Sequence, residues 1–486
     1  MTAESPGLRD DRTESDPTES DPTESDRTED ADPAGSGPPA RPWIVILASC
    51  LGFFLINLDA TVVNVALPAV DHQLHAGLTG LQWVVSGYTL AFAGLLLSAG
   101  RISDRVGAGR LFGYGLCGFL LASMACGLAP GTGILIVARV LQGAAAAAVL
   151  PASLALLRQS LPDPAARARA IGVWAAGGGA AVAAGPVVGG FLTELLSWRA
   201  VFFVNVPFGL LAMAGLSKAV RSVPQRTSLD LAGQLAAVVA LTGFTFATIE
   251  LAPTGPRSPM VLVPLLCSVV GAVWFLRIES VSAAPMVDLR ELRSRVFVAC
   301  LTTGFALNFA YYGILFVFSL IFQREHGWSP IEIGLSFLPL TAFVLASNIL
   351  SGKLTTLVGP RIPMACALLL EAAGFTGVML VGAHGPTWLL LLSMVPIGIG
   401  GGVASPPMMT ALLESVPAER AGMVSGLLSS CRQAGGAIGV AVFGVLISTT
   451  GFGMATGLRV AAGMAAALLA TAAVASYVSI RTDTVT

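Results

Sequence analysis

Charged residues are scarce in this sequence, and their scarcity excludes most kinds of soluble protein. Only 11% of the 486 residues are charged and 55% are hydrophobic, whereas a soluble globular domain has roughly 25% charged residues. Folded in water, such a chain would have too little polar surface to cover its core. The composition therefore indicates an all-α polytopic membrane protein.

Groups that bind metals, form disulfides or catalyse hydrolysis are also few. All seven cysteines lie in apolar runs without a paired or metal-binding spacing, so we expect them to be small core residues. None of the four histidines lies within an apolar run, which argues against a histidine proton relay. The sequence has no GxxxxGK[ST], HExxH or GxSxG motif. We expect neither an enzyme nor a bound metal, cofactor or nucleic acid.

The acidic residues that are present gather at one end of the chain. Residues 1–40 contain 12 of the 28 acids and only three arginines, mostly in the repeat TESDPTESDPTESDRTED. Because the repeat has no apolar residues to bury, residues 1–42 are predicted to form a disordered acidic tail in the cytosol. A signal peptide would need a basic start and an apolar core. A regulatory or partner-binding role for the tail is the alternative.

Fourteen apolar runs are long enough to cross a membrane, which takes roughly 20 residues. They lie near residues 43–66, 82–100, 111–129, 133–157, 169–192, 200–218, 231–250, 259–277, 296–322, 333–350, 362–382, 387–412, 422–448 and 455–479. With both termini cytosolic, the inner segments contain 18 arginine and lysine residues and the outer loops contain four. This asymmetry follows the positive-inside rule, so we expect a multi-pass plasma-membrane protein with cytosolic termini.

Short stretches recur between the two ends of the chain. PAARARAIG opens span 5 and PAERAGMVSG opens span 13, so spans 1–6 and 9–14 are interpreted as two copies of a six-helix unit. Parallel six-helix repeats are an architecture of membrane transporters. The predicted units are an N-terminal six-helix bundle, an inserted helix pair with its linkers, and a C-terminal six-helix bundle, at 43–219, 220–284 and 285–486.

The loop after span 2, GRISDRVGAGR, combines glycines with charges. Its glycines permit tight turns, and its Asp-Arg pair is suited to charge-assisted hydrogen bonds with neighbouring helix ends. Here the chain resembles the major facilitator superfamily, whose corresponding loop is G-x-x-x-D-R-x-G-R-R/K. The resemblance implies a conformational latch at Gly100, Asp104, Arg105, Gly107 and Arg110, although Ala108 and Gly109 depart from the pattern. An ordinary positively charged loop is the alternative.

Span 4 contains one charge, Arg139, followed on the same helix face by Gln142 and Gly143. A buried arginine stays charged and needs a partner. The pattern resembles the R-x-x-Q-G motif that this family associates with proton coupling. A structural arginine that donates to carbonyl groups is the alternative.

Span 5 places small residues along one helix face, where another helix can approach closely. The spacing resembles G-x8-G-x3-G-P-x2-G-G of the family's antiporters, with Ala181 in place of one glycine. The matching residues are Gly172, Gly185, Pro186, Gly189 and Gly190. The proline permits a kink. The resemblance implies a helix at the interface between the halves that is tied to export by exchange, and a plain packing stripe is the alternative.

Span 1 contains Asp59 near the middle of its apolar run. LDATVVNVALP resembles the span 1 motif of the fourteen-helix drug:proton antiporters, including Thr61, Asn64 and Pro68. A carboxyl group in a low-dielectric site is suited to taking up and releasing a proton near neutral pH. We predict that Asp59 is a protonation site with Arg139 as a neighbour that tunes it. A structural carboxylate that joins helices is the alternative.

The C-terminal half carries further polar residues in its spans. Arg432 and Gln433 begin RQAGGAIGVAVFG in span 13, which resembles the same branch. Some members carry a carboxylate inside span 10 that helps to recognise dications, but this span 10 has none. Span 11 instead contains Glu371, interpreted either as a second proton or cation site or as a group in a packed polar pocket or facing headgroups.

The resemblance covers roughly residues 43–480 and implies a fold and a function. The fold is the major facilitator fold, with two six-helix bundles and two inserted helices around a central cavity. The function is proton-coupled efflux of amphipathic, often cationic, drugs or antibiotics by a monomer, with substrate, protons and the lipid bilayer as partners. Dedicated export of one host-made metabolite or self-resistance antibiotic is the alternative, followed by an uptake carrier or a non-transporting sensor.

Overall fold

A computed structural model describes residues 42–161, 163–216, 230–282, 287–417, 420–448 and 453–480, which fold into helices without strands. The helices are α1 (Pro42–Leu74), α2 (Gly77–Val106), α3 (Ala108–Gly127), α4 (Thr132–Ser160), α5 (Pro164–Leu195), α6 (Ala200–Phe203), α7 (Asn205–Leu216), α8 (Leu231–Thr254), α9 (Pro259–Val281), α10 (Arg295–Arg324), α11 (Pro330–Ser336), α12 (Leu338–Val358), α13 (Arg361–Val381), α14 (Thr387–Glu414), α15 (Ala421–Ile447) and α16 (Gly453–Ser479). The predicted acidic tail lies outside the described residues, except for its last residue.

The predicted number of spans is confirmed. Thirteen segments of the described chain are long and apolar enough to cross a membrane, with α11 and α12 counted as one. The shorter apolar segment Ala200–Leu216 completes the fourteen. It is broken at Val204 into α6 and α7, just as span 10 is broken at Phe337. Spans 7, 8 and 9 are therefore α8, α9 and α10, and spans 11 to 14 are α13 to α16.

Each half of the chain forms its own helix bundle. In the N-terminal half α1 packs on α4, α5 and α7, and α2 and α3 pack on α4. In the C-terminal half α10 packs on α15 and α16, while α14 packs on α12 and α13. Helix α8 lies against α2 and α15, one from each half. Helix α9 packs on α8 and exposes many large apolar side chains, as a lipid-facing helix does.

The two halves meet along two pairs of helices. Helices α2 and α15 run antiparallel, and the Gln82 side chain donates to the carbonyl of Ala441 over 2.9 Å. At the far end of α5, the Glu194 carboxylate accepts a 2.8 Å hydrogen bond from the backbone of Ile331 in α11. Nearby, Arg324 and Asp71 form a 2.8 Å ion pair between α10 and α1. We call this end of the bundle, around Asp71, Glu194 and Arg324, the outer end, because the charge pattern predicts that it faces outside.

The halves separate towards the opposite end of α5. A Cβ added at Gly172 or Gly177 would meet no atom within 4 Å. On the facing helix α12, Leu350 and Leu357 are exposed. Helix α5 thus packs closely on the other half at the outer end and has free space at the end predicted to face the cytosol.

Candidate functional site

Asp59 and Arg139 form an ion pair in the centre of the N-terminal half. The Arg139 Nη1 atom lies 2.5 Å from the Asp59 Oδ2 atom, and the two side chains are 1% and 0% exposed. The other carboxylate oxygen accepts 2.8 Å hydrogen bonds from the amides of Gln142 and Asn205. Taking a charge out of water is expensive unless it is paired and hydrogen-bonded, and here both oxygens have donors.

Arg139 also binds the neighbouring helix α2. Its Nε atom donates to the carbonyl of Val84 over 3.1 Å, and its guanidinium lies 4.3 Å from the centre of the Tyr88 ring. Gly143, one turn further along α4, faces the main chain of Tyr88 so closely that an added Cβ would overlap it. Glycine at this position therefore lets α4 approach α2 closely enough for Arg139 to make both contacts.

Sequence reasoning missed two members of this group, Asn205 and Ser123. Asn205 starts α7 directly after the break at Val204, and its amide donates both to Asp59 and, over 2.9 Å, to the Ser123 hydroxyl. Ser123 also accepts a 3.1 Å hydrogen bond from Gln142. The available signal was a lone asparagine within an apolar run, two residues before Pro207. We name Asp59, Ser123, Arg139, Gln142 and Asn205 the Asp59 network.

The other motif residues of α1 do not join the network. The Thr61 hydroxyl donates to the carbonyl of Asn57 over 3.1 Å, and the Asn64 amide donates to the carbonyl of Ala60 over 3.2 Å. Both bonds stay within α1, and the Asn64 Oδ1 atom is buried without a partner among the described residues. Pro68 lies near the outer end of the same helix.

The glycine motif of α5 holds three helices together at the outer end. A Cβ added at Gly189 would lie 2.5 Å from the carbonyl oxygen of Val62, and one at Gly185 would overlap Thr61, both in α1. A Cβ added at Gly190 would lie 2.5 Å from the carbonyl oxygen of Pro330, in the other half. Conversely, a Cβ at Gly334 of α11 would lie 2.5 Å from the Pro186 carbonyl oxygen. The residues of the motif from Gly185 to Gly190 thus form the contact between the two halves of the protein. Gly172 lies at the other end of α5, where none of the described residues packs on it.

The predicted latch lies where α2 meets α3. Gly107 joins the helices as a single residue with φ of 97°, a conformation that favours glycine. Asp104, Arg105 and Arg110 are exposed, and no ion pair links them to another described residue. The latch therefore stays a prediction for another conformation.

Glu371 lies apart from the Asp59 network, between α13 and α14. It is 2% exposed, and its Oε2 atom has no hydrogen-bond partner among the described residues. Gly400 and Gly401 make room for it, since a Cβ added at Gly400 would lie 2.6 Å from the Glu371 Cβ atom. All contacts of the Asp59 network recorded above are in the N-terminal half, so the structure does not bring the two carboxyl groups into one hydrogen-bonded group.

Arg432 and Gln433 lie on α15. The Arg432 Nε atom donates to the Asn308 side chain of α10 over 3.2 Å, and the arginine is partly exposed. The Gln433 Oε1 atom is buried and has no partner among the described residues.

A charged cluster connects the starts of α10 and α15, the ends that the charge pattern predicts to face the cytosol. Arg420 lies 2.8 Å from both Asp288 and Glu291. The backbone N–H of Arg290 and the Arg420 guanidinium lower the pKa of Asp288. Hydrogen bonds to Glu291 and Asp288 raise the pKa of Arg420. The cluster ties the segment before α10 to the start of α15.

Comparisons with known proteins give the site its context. The family model described as Major Facilitator Superfamily matches residues 49–440. The chain is 36% identical over 407 residues to the "Multidrug resistance protein Stp" of Mycobacterium tuberculosis, covering 83% of this chain and 76% of that protein. It is 35% identical over 417 residues to the "Tetracenomycin C resistance and export protein" of Streptomyces glaucescens, covering 85% and 77%.

A solved structure confirms the predicted fold. The crystal structure of "peptide transporter POT in complex with sulfate" has a TM-score of 0.67 to this chain at 17% sequence identity. The match covers 90% of this chain and 94% of that one. At this identity the likeness concerns the fold alone.

Proposed function

The chain belongs to the Major Facilitator Superfamily, and we propose that it exports amphipathic drugs or antibiotics across the plasma membrane in exchange for protons. As a member of that family it is a multi-pass membrane transporter, so the Asp59 network is interpreted as transport machinery. The proposal includes cytosolic termini, a monomer, and three units at 43–219, 220–284 and 285–486. Relatives named for multidrug resistance and for antibiotic export support the efflux direction.

The buried ion pair between Asp59 and Arg139 is the observation that carries proton coupling. A proton on Asp59 removes its negative charge and leaves Arg139 buried without a counter-charge, which is strongly unfavourable. Protonation therefore favours a conformation in which Arg139 finds water or another partner. A ligand that binds two conformations unequally shifts the balance between them, and here the proton acts as that ligand.

The described conformation fits one step of such a cycle. Helix α5 packs closely on the other half at the outer end and has free space at the opposite end, and Asp59 is paired. This is the state expected after Asp59 has released its proton to the cytosol and before substrate leaves outward. For drug to leave in exchange for a proton, the glycine face of α5 must separate from α11 and the opposite end must close. This movement of two bundles against each other is alternating access.

Dedicated export of one compound is the second candidate. The relative from Streptomyces glaucescens, named for tetracenomycin C alone, favours it. The two functions share fold and coupling and differ in the range of compounds moved. Transport assays with chemically unrelated substrates separate them.

The decisive experiment compares Asp59→Asn with wild type in inverted membrane vesicles. Wild type is expected to accumulate an amphipathic dye when the vesicle interior is acidified, and to stop when a protonophore is added. Asp59→Asn is expected to bind the dye but lose proton-driven accumulation, because the amide cannot exchange a proton. Glu250→Gln, the same kind of change on α8, is the matched control and should transport normally.

Two results would contradict the proposal. Undiminished, protonophore-sensitive transport by Asp59→Asn would make Asp59 structural and direct attention to Glu371. Absence of transport for every dye tested with wild type would rule out broad efflux in favour of a single, specific substrate.

A further inference from the structure

Arg432 carries a positive charge inside a membrane span, and it forms no ion pair with any of the described residues. Its Nε atom donates to Asn308, and no carboxylate among the described residues lies within ion-pair distance. Asp59 is already held by Arg139. Charged side chains inside spans are rare and usually pair or mark a substrate pathway. The arginine therefore calls for a partner that the described chain does not supply.

The position of Arg432 connects it to the interface between the halves. It lies on the face of α15 that packs on α10, where its Cγ atom would be 3.0 Å from a Cβ added at Gly304. Tyr312 of α10 packs against Gly436, one turn further along α15, where an added Cβ would lie 2.8 Å from the Tyr312 ring. Beside it, the Ser86 hydroxyl of α2 donates to the carbonyl of Ala437 over 3.3 Å, and Tyr88 of the same helix lies against Arg139. Arg432 thus lies close to the contact between α15 and α2, the helix that also packs on the Asp59 network.

Asn308 orients the guanidinium. Its side-chain oxygen occupies the Nε–H donor at 3.2 Å, which leaves the two terminal nitrogens available, and the arginine is partly exposed. Two parallel N–H donors in a plane match the two oxygens of a carboxylate. Phe305 and Phe309 stack on each other on α10, with ring centres 6.0 Å apart, and supply apolar surface on the same helix.

We propose that Arg432, oriented by Asn308, binds an acidic group of the exported compound between α10 and α15. The substrate class is an amphipathic organic acid with an apolar body and one carboxylate-like oxyanion. This rests on the proposed export function and departs from the cationic drugs that the sequence resemblance implies. Asp59 and Arg139 cancel each other's charge, whereas the positive charge of Arg432 is not cancelled. Arg432 therefore selects against lipophilic cations.

Two dyes with the same three-ring body test the assignment. Fluorescein is anionic and rhodamine 123 is cationic, and binding of each to purified full-length protein is measured by fluorescence anisotropy. Wild type is expected to bind fluorescein more tightly. Arg432→Gln is expected to weaken fluorescein binding at least about tenfold, since charge-assisted hydrogen bonds are lost, without weakening rhodamine 123. Arg432→Lys should restore part of the affinity, because it keeps the charge but not the planar fork.

Arg257→Gln, an exposed arginine between α8 and α9, is the matched control and should bind both dyes as wild type does. Retained rhodamine 123 binding and an unchanged melting temperature show that Arg432→Gln is folded. If Arg432→Gln itself is unstable, Asn308→Ala replaces it and should weaken fluorescein selectively. Equal loss of both dyes, equal affinity of wild type for both, or no fluorescein binding by wild type would each overturn the assignment.

The proton-driven transport assay separates this inference from the proposed function. If fluorescein binding depends on Arg432 but no dye is moved by the proton gradient, the anion site stands and proton-driven export fails. If wild type and Arg432→Gln both pump fluorescein equally well, export stands and the anion site fails.

Discussion

The N-terminal half surrounds its buried charges with partners, whereas the C-terminal half leaves them open. Asp59 accepts hydrogen bonds from Arg139, Gln142 and Asn205. In the other half Arg432 has one hydrogen bond, to Asn308, and the Glu371 Oε2 atom has none among the described residues. A carboxylate whose two oxygens both have donors suits a switch that a proton opens and closes, and a charged group with few partners suits a ligand that binds and leaves.

The largest expected effect contrasts the two arginines that lie within spans, Arg139 and Arg432. Arg139→Leu is expected to destabilise the protein by about 3–5 kcal/mol, because it leaves the buried Asp59 carboxylate unpaired. Arg432→Leu is expected to cost less than about 1.5 kcal/mol, since it loses one hydrogen bond. Thermal unfolding of the purified protein measures both. The double variant Asp59→Leu, Arg139→Leu should be less damaged than Arg139→Leu alone, and equal losses for the two arginines would abolish the contrast between halves.

The next effect concerns the surface on which the halves meet. A methyl group added by Gly190→Ala would lie 2.5 Å from the Pro330 carbonyl oxygen, so the outer end must separate. Such overpacking costs about 1–3 kcal/mol, which shifts a two-state balance roughly 5–150-fold. We expect slower transport and faster amide hydrogen exchange in the peptide containing Ile331. Gly172→Ala, where the methyl meets nothing within 4 Å, is the control, and similar effects in both would refute the assigned closure.

A smaller effect is expected at the second buried carboxyl group. Glu371→Gln keeps the shape of the side chain and breaks no ion pair or hydrogen bond with the described residues. Proton-driven transport should therefore stay within about threefold of wild type, a barrier change below about 1 kcal/mol. The assay is the vesicle assay used for Asp59→Asn. If Glu371→Gln binds substrate but no longer couples to protons, Glu371 is a second proton site.

The smallest effect depends on pH and lies outside the spans. The backbone N–H of Arg290 and, to a smaller extent, the Arg420 guanidinium lower the pKa of Asp288, so its ionised carboxylate stabilises the fold above the ordinary aspartate pKa of about 3.9. That contribution is lost as pH falls through the lowered value. Wild type should therefore melt slightly higher than Arg420→Gln at pH 7, and the difference should vanish in strong acid. A difference that grows on acidification would contradict this sign.

Much of the fold was predictable because hydropathy is a local property. The fourteen spans and the helical class followed from apolar runs and arginine positions. Several helices are longer than the predicted spans, as in α1 (Pro42–Leu74) against 43–66, because a helix continues beyond the apolar part that crosses the membrane. The break at Val204 carried no strong signal, since Ala200–Leu216 is an apolar segment apart from Asn205. Asn205 was not recognised as a partner of Asp59, because the sequence does not show which helix faces it.

The length and apolarity of each run decide whether it crosses a bilayer, so the fourteen spans and the lone polar residues inside them could be predicted from the amino-acid sequence. Which of those residues meet depends on how the helices pack, and this became known from the folded protein. Asp59 reaches Arg139 across 80 residues and Asn205 across 146, because Gly143 and the α5 glycines let helix backbones approach. Arg432 and Glu371 look similar in the sequence, yet packing leaves one partly exposed between the halves and encloses the other against α14.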